Sequence, residues 1–68
     1  MITLVMKTRS GTELFYNSDT HTYESTDMND IVSALIEDRD SNDPISSMLA
    51  TNLLNDIERN SSINRAVN

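Results

Sequence analysis

Asp43-Pro44 limits the fold of this chain more than any other feature. Proline fixes its own φ and has no amide hydrogen, so a helix can begin at Pro44 but cannot run through it undisturbed. The apolar residues between Thr26 and Arg59 must therefore be shared by two helices, with the acidic run Asp38-Arg39-Asp40-Ser41-Asn42-Asp43 as their joint. In the first helix, Met28, Ile31, Val32, Leu35 and Ile36 follow i, i+3, i+4, i+7, i+8 and make one narrow stripe. Ser25-Thr26-Asp27 is its start signal: a hydroxyl can accept from a free first-turn amide, and Asp27 faces the positive end of the helix. The pattern predicts a helix over about 27–39 and a second over about 44–59, with Asp43 as the second helix's cap.

The second helix is less one-sided. Ile45, Leu49, Ala50, Leu53, Leu54 and Ile57 spread over about half its circumference at ~100° per residue, and Met48 falls on the far side among Ser47, Thr51, Asn55 and Glu58. So wide a stripe meets more than one neighbour: either the first helix and a sheet together, or the core and another protein chain.

The sheet is read from the first 24 residues. Ile2, Leu4 and Met6 alternate with Thr3, Val5 and Lys7 as a strand does. Arg9-Ser10-Gly11 then predicts a three-residue hairpin loop with a left-handed glycine and a G1 bulge. That loop pairs Thr8 with Thr12, Met6 with Leu14 and Leu4 with Tyr16. It gathers Ile2, Leu4, Met6, Leu14 and Tyr16 on one face, and sets Lys7 opposite Glu13 and Val5 opposite Phe15 on the other. Val5 and Phe15 are then an outer apolar pair, exposed or covered by the carboxyl-terminal tail. After a polar turn at 17–20, His21 to Glu24 reads as a third strand, with His21 a surface or sheet-edge residue rather than a catalytic base. The expected fold is α+β: an antiparallel β-hairpin or three-strand meander over about 2–24, packed against an antiparallel helix pair. Residues 1–60 form one small domain, and 61–68 read as a flexible polar tail.

Sixty-eight residues suffice for one domain, in which only about 60% of the chain's surface is buried, so a monomer has little stability to spare. The absence of cysteine excludes disulfides and thiolate metal sites, and a single histidine leaves no histidine cluster for a metal. Such a chain suits the cytoplasm. No apolar run approaches the ~20 residues of a membrane span, and no basic-then-apolar leader opens the sequence.

Catalysis and cofactor binding find no support in the residues. Gly11 is the only glycine, so no phosphate-binding loop can be built, and no nucleophile stands in a recognisable pattern. Asp38, Asp40 and Asn42 carry the spacing that opens a calcium loop between two helices. The place of its glycine holds Asp43, however, and that of its closing glutamate holds Leu49. The same residues are explained by an interhelix turn whose Asp43 caps the second helix.

Charge is the strongest global signal. The net charge is −6, and ten of the eleven acids lie between Asp19 and Glu58, where the only basic residue is Arg39. One reading is a solvated face that keeps a small protein in solution. The other is a negative field that steers the molecule to a basic protein surface, such as a groove that holds nucleic acid. Direct DNA or RNA binding is not expected, because the acidic face repels phosphate. In its length and its cysteine-free composition rich in Asn, Ser and Asp, the chain resembles the small accessory proteins of bacteriophages that inhibit host defence or transcription machinery. The resemblance implies an inhibitor that acts as a nucleic-acid mimic. The resemblance assigns no residue; the charge pattern itself picks out Asp27, Asp30, Glu37, Asp38, Asp40 and Asp43 as the partner-binding face. The alternative is a homodimeric structural or regulatory module that associates through the second helix at Met48 and Leu54.

Overall fold

The computed structural model describes residues 1–60 and shows a three-strand antiparallel sheet covered on one face by two helices. In chain order the elements are β1 (Ile2–Lys7), β2 (Glu13–Asn17), β3 (Thr22–Ser25), α1 (Met28–Arg39) and α2 (Pro44–Asn60). The sheet order β1-β2-β3 leaves both β1 and β3 as edges. This is the expected α+β arrangement. The expected tail over 61–68 lies outside the described residues.

The first hairpin closes as its residues predict. Gly11 has φ +94°, its amide donates to the Thr8 carbonyl at 3.0 Å, and the Thr8 amide donates to the Thr12 carbonyl at 2.8 Å. Lys7 pairs with Glu13 and Met6 with Leu14 as expected. Beyond that point the expected register fails. A bulge between Leu4 and Met6 makes Val5 an extra residue, so Leu4 faces Phe15 instead of Tyr16, Thr3 faces Tyr16, and Ile2 faces Asn17. Because directly paired residues share a face, one extra residue inverts the side chains that precede it. Ile2 and Leu4 therefore join Phe15 on the outer face, where 59% and 51% of their surface stays exposed.

The helices explain why the inner face offered these residues nothing. The buried core is Leu14 of β2, Tyr23 of β3, Ile31 and Leu35 of α1, and Ala50 and Ile57 of α2, and β1 adds only Met6 at its margin. The start of β1 has no helix above it to bury Ile2 or Leu4. In the bulged register, Leu4 gains Phe15 as an apolar cross-strand neighbour.

β3 begins one residue later than expected. His21 lies before it with φ 57°, in the left-handed region of a turn, and its Nδ1 stands 3.2 Å from the Tyr16 hydroxyl. At the start of α1 the cap is the Asp27 carboxylate, which accepts from the Asp30 amide at 3.1 Å. The cap is thus a carboxylate and not the expected hydroxyl: Ser25 Oγ donates to the Glu13 carbonyl at 2.8 Å, which ties β3 to β2, and accepts only from the Asp27 amide, at 3.3 Å.

Candidate protein-docking surface

The six acidic residues picked out by sequence do not share one role. Asp30 is half-buried, and its carboxylate accepts from Thr8 Oγ1 at 2.8 Å and Ser10 Oγ at 3.1 Å, which fastens α1 to the β1–β2 turn. Hydroxyl donation from Thr12, Thr8 and Ser10 holds its carboxyl below the ordinary range. Asp43 caps α2, accepting from Ser46 Oγ at 2.9 Å and from the Ile45 amide at 3.1 Å, and its carboxyl is likewise held low, chiefly by Ser46. Asp27 is spent on its own cap. Five of the six are exposed, Asp27, Glu37, Asp38, Asp40 and Asp43, and only Asp30 is half-buried. Asp40 forms a surface ion pair with its neighbour Arg39 at 3.4 Å.

Glu37 and Asp38 thus stand out. They are exposed, they make no ion pair among the described residues, and they occupy the last turn of α1, where the helix dipole is negative. The backbone at this end is finished locally. Ser41 Oγ donates to the Asp38 carbonyl at 2.7 Å and Ser47 Oγ to the Arg39 carbonyl at 2.6 Å. The turn is therefore closed by hydroxyls, with Asp43 directed to α2 as its cap. Among the described residues no group of three His, Asp or Glu side chains is arranged to hold a metal ion.

The fold also does what spacing along the chain could not show. Between β1, the turn after it and α1 lies an open groove of about 380 Å³, whose walls include Lys7 and Arg9 on one side and Asp30, Glu37 and Asp38 on the other. Arg39 is thus not the only cation near the acids, although neither Lys7 nor Arg9 comes within ion-pair distance of them.

The second candidate surface is on α2. Met48 is exposed, as its off-stripe position implies, whereas Leu54 is half-buried and packs on the core. Its neighbours on the surface are instead Ile45 and Leu49, at 65% and 59% exposure beside 56% for Met48. Length accounts for this. At ~1.5 Å per residue the helix runs about 25 Å, and at ~3.3 Å per residue β3 covers about 13 Å. The hydrogen bond from the Tyr23 hydroxyl to Asp56 Oδ2, at 3.3 Å, fixes the later half of α2 over β3, so the earlier half overhangs. The signal that could have exposed Ile45 and Leu49 was the mismatch between a 17-residue helix and a four-residue strand.

Comparison with known proteins finds no matching family model and no similar curated protein or solved structure. No helix among the described residues is long and apolar enough to cross a membrane.

Proposed function

We propose that this chain is a small protein-binding module, whose acidic end of α1 and following turn dock on a basic surface of another protein and occlude it. The basic surface best matched by such a face is one that holds nucleic acid, which would make the protein an inhibitor by mimicry of phosphate. The observation that supports this reading is the position of Glu37 and Asp38. Carboxylates in the last turn of a helix oppose its dipole, and here no ion pair among the described residues offsets them. A cationic partner gives that arrangement a use.

The test is charge reversal at residues that hold no fold contact. Glu37→Lys with Asp38→Lys should weaken binding to a captured partner at least tenfold, mainly through slower association, and leave the circular dichroism spectrum unchanged. Asp30 is left out of the variant because its carboxylate fastens α1 to the first turn.

A second reading rests on the overhanging half of α2. Ile45, Met48 and Leu49 make an apolar patch on an otherwise polar helix surface, and a homodimer could cover it. Met48→Glu separates the two. It should leave binding intact if the acids act, and abolish association if the patch does; a charge-reversed protein that binds as tightly as the parent at low salt sinks the first reading.

A further inference from the structure

We infer that the groove between β1, its turn and α1 receives an extended segment of a partner protein in which basic and acidic side chains alternate. The inference rests on the docking reading above, because Glu37 and Asp38 serve both, and it adds Arg9 to the contact.

The size of the groove decides the shape of its occupant. One turn of an α-helix with its side chains, about 10–12 Å across and ~5.4 Å long, fills roughly 400–600 Å³. The groove holds about 380 Å³, so a helix does not enter it, whereas a single extended chain is thin enough to lie along it.

The walls decide its charge. On α1, Asp30, Ala34 and Glu37 are spaced i, i+4, i+7 and share one side of the helix, with Asp38 next to them. The Asp30 oxygens are taken by the hydroxyls of Thr8 and Ser10. Glu37 and Asp38 are left to accept a cation: both are exposed, neither is in an ion pair among the described residues, and the negative end of the helix dipole adds to their pull.

The facing wall has the opposite sign. Lys7 pairs with Glu13, so its side chain sets out from the face opposite to that of Met6, which packs on the core. Arg9, exposed in the turn, is therefore the principal cation of this wall. Among the described residues no ion pair joins it to the acids of α1, so the two walls face each other across an open gap.

A wholly basic segment in that gap is attracted by one wall and repelled by the other. Successive side chains of an extended chain point to opposite sides. A chain of alternating sign lying along the groove thus sends its cations to Glu37 and Asp38 and its anions to Arg9. Met6 and Ala34, both half-buried, offer its backbone an apolar lining.

The probes are three capped hexapeptides: one that alternates arginine and glutamate, one with the same composition in two blocks, and hexa-arginine. Binding to the full chain is followed by amide chemical shifts at about 0.15 M salt, where charges beyond ~8 Å are largely screened; the same spectra report on the fold of each variant. The alternating peptide should bind at least tenfold more tightly than its block isomer and shift the amides of residues 6–10 and 33–38. Arg9→Glu should weaken the alternating peptide at least fivefold yet tighten hexa-arginine, a pair of opposite signs that an acidic face acting alone does not give. Glu37→Lys with Asp38→Lys should weaken both. A block isomer that binds as well as the alternating peptide overturns the inference, as does an alternating peptide indifferent to Arg9→Glu or one without saturable binding at millimolar concentration. If hexa-arginine still loses affinity with Glu37→Lys and Asp38→Lys, the docking reading outlives that failure; if no peptide responds to those two substitutions, the docking reading falls as well.

Discussion

Asp30 shows how a single carboxylate can be read wrongly from its position in a helical pattern. It lies off the apolar stripe of α1, which suggested a solvent face, yet it is half-buried and takes hydroxyl donors from Thr8 and Ser10 across the fold. Partners 20 and 22 residues away leave no local trace in the sequence. The carboxyl groups of Asp30 and Asp43 are both held low in the folded state, so their stabilisation is complete above the unfolded value near pH ~4 and is lost as pH falls through the lower folded values. Thermal melts between pH 7 and pH 2.5 should therefore drop on acidification below about pH 4. In a variant with Asp30→Asn and Asp43→Asn the melting temperature should begin lower at pH 7 and fall less steeply with acid. At the other extreme, Leu14 and Ile31 have no exposed surface, and truncating either to alanine should cost about 2–5 kcal/mol. A domain of this length holds only about 3–9 kcal/mol in all, on ~0.05–0.15 kcal/mol per residue. Urea unfolding should accordingly find Leu14→Ala or Ile31→Ala partly or wholly unfolded in water, whereas Met48→Ala should be near neutral.

The elements themselves were legible because each is closed by a residue with a strong local preference. Pro44 starts α2, Asp27 and Asp43 cap the two helices, and Gly11 takes the positive φ that its turn requires. No atom lies within 4 Å of where a Gly11 side chain would begin, so Gly11→Ala should cost only backbone strain, about 1 kcal/mol by chemical denaturation. The interhelix turn is the element most easily mistaken for a site. Its carbonyls are taken by Ser41 and Ser47 and its last carboxylate by the amide of Ile45, so millimolar calcium should leave the melting temperature unchanged. A saturable rise that disappears with Asp38→Ala and Asp40→Ala would assign calcium to this turn after all. What could not be read was how far each element extends over the next. Nothing in Ile2-Thr3-Leu4-Val5-Met6 distinguishes a regular strand from one bulged at Val5, because the choice depends on which part of the sheet the helices reach. The overhang of α2 has the same origin: a broad apolar stripe describes what a helix could bury, and the length of the sheet below decides what it does bury.

For the molecule as a whole, charge divides the surface by sign as well as by amount. The basic residues of β1 and its turn and the carboxylates at the end of α1 meet across one groove without forming ion pairs, and the net charge remains −6. Self-repulsion of this kind opposes the compact state and is relieved when salt screens it, the Debye length falling from about 30 Å at 0.01 M to about 3 Å at 1 M. The melting temperature of the free protein should thus rise with sodium chloride over this range. Docking on a basic surface should respond with the opposite sign, since the same screening removes the attraction that brings Glu37 and Asp38 to their partner. Raising salt from about 0.05 M to 0.5 M, across which the screening length becomes shorter than the reach of surface charges, should weaken the complex at least tenfold, mostly through slower association. The Glu37→Lys, Asp38→Lys variant should show a much flatter dependence. A complex whose affinity is unchanged or improved by salt would place the contact on Ile45, Met48 and Leu49 instead, because burial of apolar surface gains rather than loses when ions are added.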